Sequence, residues 1–204
     1  MTGRSGKSTV YPAAHPSLVL YDQYDNPSAL GTSSQVFGLP NSGLDNQGAD
    51  DFIVPSGQRW SIDLVEVDGL YDSGGGPADS VNVYFYADGY ALPATPVYTQ
   101  TNLPYKPGPE YGQLLIPISG VTFPPGHYWL SVQVNQNFDE RGEWYWQNRT
   151  VIAHNAAAWR NPTDDPRLAT GCEVWGDRGA CGGEGDDHLF RLSGSVTTGT
   201  PGDR

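Results

Sequence analysis

"SVNVYFYA" (80–87) and "HYWLSVQVN" (127–135) are the stretches that decide the fold. In the first, Val81, Val83 and Phe85 alternate with Asn82, Tyr84 and Tyr86. In the second, Tyr128, Leu130, Val132 and Val134 alternate with Trp129, Ser131, Gln133 and Asn135. A period of two sends successive side chains to opposite faces of a strand, and β-branched and aromatic residues suit that pleated surface. "QRWSIDLVEVDGLY" (58–71) begins in the same way with Trp60, Ile62 and Leu64. Val65 and Val67 then take the other parity, which predicts a β-bulge or a bend between sheets. Weaker strand signals lie at 18–22, 50–54, 112–118, 143–147 and 187–196.

The segments between them carry turn chemistry, such as "LPNSGLDNQG" (39–48), "DSGGGP" (72–77) and "FPPGH" (123–127). No window shows a capped apolar period of about 3.6 residues. "VIAHNAAAWRNP" (151–162) has room for one helical turn before Pro162. Many short strands at this spacing predict an all-β, two-sheet antiparallel β-sandwich of jelly-roll type in a single domain. Residues 13–196 are its expected extent, with flexible tails at 1–12 and 197–204.

Composition narrows the function. The chain has 204 residues with 11 basic and 23 acidic ones, a net charge of −12. Such a surface repels phosphate backbones and anionic membranes, so neither nucleic acid binding nor membrane insertion is expected. No run of about 18 apolar residues offers a membrane span. "MTGRSGKSTVYP" (1–12) has no apolar signal-peptide region, and the chain is read as a mature fragment with a new start Met. Its "GKS" lacks the glycine that a phosphate-binding loop needs five residues before Gly6, because Met1 stands there.

Cys172 and Cys181 are the only cysteines, with eight residues between them. Zinc sites favour closer pairs and four ligands, and redox centres favour C-x-x-C. A glycine-rich loop lets two Cα atoms approach, so the pair reads as a disulfide and implies an oxidising compartment. Acidic doublets are the candidate metal ligands. Asp50, Asp51, Asp186 and Asp187 would hold a structural Ca2+ if their strand starts lie together. No G-x-S-x-G or H-E-x-x-H occurs, and the glutamates cannot be paired from sequence, so no catalytic residue is expected. Exposed aromatic rings beside polar groups suit sugar faces, and the candidates are Trp129, Tyr145, Tyr105 and Tyr111. "EWYWQNR" (143–149) puts Trp144 and Trp146 on one face, read as core, and Tyr145 on the other. "NRT" (148–150) is a glycosylation sequon.

"LVLYDQYDN", "QGADDFIVPSGQRWSID", "VNVYFYADGYALPATPVY" and "TGCEVW…CGGEGDDHLFRLSG" together resemble a module of secreted bacterial proteins. That module occurs beside subtilisin-like proteases or cell-surface sorting segments. The resemblance runs from about Leu18 to Val196. It implies a jelly-roll-like sandwich, export and neighbouring domains in a larger protein, and it brings no established catalytic residues. The expected function is therefore a non-catalytic, secreted or cell-surface module for adhesion, substrate targeting or display, with a polysaccharide or a cell-surface component as partner. A subunit of a surface filament or layer and a jelly-roll glycosidase or lyase are the alternatives.

Overall fold

The computed structural model describes residues 17–72, 75–163, 165, 167, 171–184 and 186–198. The tail at 1–12, with its "GKS", lies outside them, as does Asp164. Strands make up 57% of the described residues and helix 5%, which settles an all-β fold.

In chain order the strands are β1 (Leu18–Asp22), β2 (Pro27–Ser33), β3 (Gln35–Val36), β4 (Gln47–Val54), β5 (Gln58–Val67), β6 (Gly69–Tyr71), β7 (Ser80–Asp88) and β8 (Pro93–Leu103). They continue as β9 (Lys106–Pro107), β10 (Leu114–Phe123), β11 (Gly126–Asn135), β12 (Trp144–Arg149), β13 (Ala158–Arg160), β14 (Gly176–Asp177), β15 (Asp187–His188) and β16 (Phe190–Thr198). One sheet runs β1-β16-β5-β10-β9 and the facing one β14-β13-β4-β11-β7-β8, with β3 joining β11 in parallel. Among the eight principal strands β1, β4, β5, β7, β8, β10, β11 and β16, the sheets read first-eighth-third-sixth and second-seventh-fourth-fifth. That is the strand order of a jelly roll, two Greek keys closed face to face. A third, smaller sheet, β15-β12-β2 with β6 also on β12, adds to the expected two.

The core lies between the two large sheets. Phe52, Val81, Val83, Phe85, Leu130, Val132 and Val134 meet Trp60, Ile62, Val65, Val67, Ile116, Phe123, Phe190 and Leu192. Phe52 meets Phe85 and Phe123 edge-on at 5.9 and 5.7 Å, the geometry the ring quadrupole favours. Each such buried side chain contributes about 1.5–3 kcal/mol. The expected bulge is at Asp63: β16 pairs Ser193 with Leu64 and Gly194 with Ile62. The extra residue lets Trp60 and Ile62 share the inner face with Val65 and Val67, while Leu64 is only half-buried. Two local expectations shift. Residues 151–162 form turns and then β13 rather than a helical turn, and among the described residues the one α-helix, α1, is Phe138–Arg141. Thr197 and Thr198 extend β16 against Arg59 and Gln58, so the strand runs two residues into the expected tail.

Candidate functional site

Tyr145 stands at the centre of the smallest sheet. Alternation along β12 buries Trp144 and Trp146 completely and turns Tyr145 to the other face. Its backbone neighbours are Ser33 of β2 and Leu70 of β6. Gly31 leaves room for the ring, since a Cβ there would lie 2.7 Å from Tyr145 Cβ. The Tyr145 hydroxyl donates to Glu143 Oε2 at 2.7 Å. Burial and the Glu143 carboxylate both push the phenol up, so it stays a neutral donor.

A hollow of about 370 Å³ opens on one side of Tyr145, lined by Phe37, Asn46, Phe138, Glu143, Trp159 and Arg178 among others. A second, of about 300 Å³, lies on its other side and reaches Leu70 and Tyr71. A third, of about 200 Å³, shares Tyr71 and continues to Tyr105 and Tyr111 through a proline-rich wall. Tyr71 and Tyr111 rings are 5.2 Å apart. Tyr71 Oη accepts from the Ala78 amide, and the Tyr105 hydroxyl donates to the Ala78 carbonyl. Tyr145 lines the first two hollows, and Tyr105 and Tyr111 the third. Tyr71 pairs with Trp144 across β6 and β12, so it lies on the face opposite Tyr145, and the third hollow is a separate aromatic surface around the sheet edge. Tyr71 and Trp159 were not among the expected residues. Both sit in short strands formed by long-range pairing, a pattern too brief for periodicity to reveal.

Trp129 is a correction. It was expected outside and is fully buried, with Nε1 donating to Asp88 at 2.9 Å. The outer face of β11 is not open to solvent: Trp129 packs with Ala49, Tyr86 and Ala158, and Trp175 closes the cluster. β13 and β14 extend the sheet beyond β4 and supply that cover.

The aspartates divide. Asp50, Asp51 and Asp187 are fully buried, whereas Asp186 is only half-buried. Asp50 Oδ2 accepts from the His188 amide and from Gln23 Nε2, both at 2.6 Å. As the next residue on the strand, Asp51 points to the opposite face. There its Oδ2 takes His127 Nε2 at 2.7 Å and both the amide and the side chain of Asn155. Asp187 Oδ2 accepts from the Ala153 amide at 2.6 Å, with Arg149 Nη1 3.6 Å away. Asp51 Oδ1 and Asp187 Oδ1 meet no donor among the described residues. Burial raises the pKa of all three, and repulsion from neighbouring carboxylates adds to it at Asp50 and Asp187; Asp187 is pushed up to about 7. Among the described residues no three His, Cys, Asp or Glu side chains gather as a metal-binding group.

Cys172 and Cys181 form the expected disulfide, with Cα atoms 5.9 Å apart. Cys181 lines the largest hollow, so the staple belongs to the wall of the site. Asn148, the sequon residue, is buried and accepts from the Thr32 hydroxyl, which closes it to glycosylation in the folded chain. Among the described residues no helix is long and apolar enough to cross a membrane. No family model, curated protein or solved structure matches the chain.

Proposed function

We propose that the protein is a non-catalytic extracellular module that holds a polysaccharide at its tyrosine-lined hollows, above all the one beside Tyr145. The observation that carries this reading is the half-buried Tyr145 ring, held by Glu143, with a hollow lined by Trp159, Asn46 and Arg178 beside it. Half-buried rings held by their own hydrogen bonds are preorganised, so little side-chain entropy is lost on binding. Amide, carboxylate and hydroxyl groups beside them suit sugar hydroxyls. The disulfide fits a secreted or cell-surface location. The resemblance to modules of exported bacterial proteins points the same way.

Affinity electrophoresis and pull-down on a polysaccharide panel test the reading. At least one polymer should retain the chain, and Tyr145→Ala and Tyr111→Ala should each weaken retention on the order of tenfold. If no polymer retains it, or both variants bind like the parent, the reading is wrong. Trp129→Ala is unsuitable for this comparison, because removing a buried tryptophan costs about 3–5 kcal/mol of stability.

A further inference from the structure

Arg178 is the unusual charge of the largest hollow. It lies within the disulfide ring, one residue after β14. Its amide donates to the Ala157 carbonyl at 2.8 Å, and its own carbonyl accepts from Gly183 at 3.1 Å. Its Nε donates to Thr32 Oγ1 at 3.0 Å, and Thr32 is held in turn by Asn148. The guanidinium carbon lies 5.9 Å from the Trp159 ring centre. These contacts fix the group through Nε and leave Nη1 and Nη2 without a protein acceptor among the described residues.

Arg141, Arg149, Arg167 and Arg191 each rest on a carboxylate. Arg178 has none within ion-pair distance among the described residues. Asp186 and Glu184 act on it only at longer range. Burial pulls its pKa down, so the cation is held without an adjacent counter-charge. A partly desolvated, unpaired guanidinium on the wall of a binding hollow is poised for an anion. Its planar fork matches a carboxylate with two parallel hydrogen bonds. Glu143, on the same hollow, disfavours a more highly charged group such as a phosphate dianion.

We infer that the polysaccharide is a polyuronate, whose sugar-ring carboxylate is bound by Arg178 while Tyr145, on the same hollow, carries the sugar ring. This inference rests on the polysaccharide reading above. It goes beyond that reading by naming the charge and its partner. The net charge of −12 opposes an anionic polymer at long range. At an ionic strength of about 0.15 M the screening length is about 8 Å, so distant charges matter little beside a direct contact.

The test compares polygalacturonate and alginate with their esterified or carboxyl-reduced counterparts, alongside neutral glucans and xylans, at that ionic strength. The parent chain should bind at least one polyuronate on the order of tenfold more tightly than its neutralised counterpart. Arg178→Gln should erase that preference, read as the ratio of binding to the charged and neutralised forms of one polymer. Arg178→Lys should keep only part of it, since a point charge lacks the fork. Melting curves establish that the variants are folded, and the parent's preference among polymers is independent of any variant. Equal binding to both forms, binding to neutral polymers alone, or a preference that survives in Arg178→Gln overturns the inference and leaves the polysaccharide reading standing. No binding to any polymer overturns both.

Discussion

Asp187 and Asp50 carry a consequence for pH. Both carboxyls hold their protons more tightly in the folded chain than the ordinary carboxylate value of about 3.9 in the unfolded one. Stability from this source is complete below about pH 4 and is lost as pH rises toward about 7, where folded Asp187 ionises. His188 acts in the opposite sense. Buried and stacked 4.7 Å from Trp146, it is pulled down to about 3, so its contribution is lost as pH falls below about 6.5. Asp165, lowered to about 2 by Arg167, also opposes, but it is screened by solvent. Two buried carboxyls outweigh one imidazole, so the melting temperature should be higher at about pH 5 than at about pH 8. Asp187→Asn keeps an acceptor for the Ala153 amide and removes the titration. It should raise the melting temperature at about pH 8 and flatten the pH profile. A parent chain more stable at about pH 8, or a variant with an unchanged profile, would refute the assignment. Stabilisation by added calcium at about pH 8, abolished by a chelator, would instead give these carboxylates to the cation that the sequence suggested. The doublets are visible in sequence. That Asp50 and Asp51 serve opposite faces follows from strand alternation once β4 is placed.

At the scale of elements, β6 and β12 depend on close approach. Gly69 pairs with Trp146, and a Cβ at Gly69 would lie 2.2 Å from Trp144 Nε1, which itself donates to the Gly112 carbonyl. Gly69→Ala should therefore cost about 1–3 kcal/mol or more in urea unfolding, through overpacking against a fixed indole. Gly57, in the turn between β4 and β5, has φ +78° and nothing within 4 Å of a Cβ. Gly57→Ala should cost only the backbone strain, about 1–2 kcal/mol. Similar losses at both sites would contradict close packing as the cause at Gly69. The long strands β5, β7 and β11 were legible because one face of each is apolar with period two, and the Asp63 bulge was legible from the change of parity. β6 and β15 fell inside the stretches 58–71 and 187–196, read as parts of longer strands, whereas β3, β13 and β14 were not legible. They are short, and partners far along the chain hold them, as when β13 lines up with β4.

Across the whole molecule, the disulfide connects stability to the site. Closing a loop of ten residues stabilises by roughly 2–3 kcal/mol on chain-entropy grounds. Replacing both cysteines by serine should lower stability by about that amount. It should also weaken polysaccharide retention, because Cys181, Arg178 and Trp159 share one hollow. Equal retention by the reduced and oxidised chains would separate the staple from the site. The sequence by itself determined the all-β class, the jelly-roll reading, the inward tryptophans of β12, the outward Tyr145 and the cysteine pairing. Each of these rests on local chemistry: side-chain parity, turn residues, or two thiols on one short loop. Only the tertiary structure decided which outer faces stay open. It buried Trp129 beneath the segment that carries β13 and β14, and it put Tyr145 on the face of the small sheet opposite Tyr71. It also set Arg178 in the hollow with no carboxylate at ion-pair distance among the described residues. Exposure and pairing of this kind depend on segments that lie far apart in the chain and meet only when the sandwich closes.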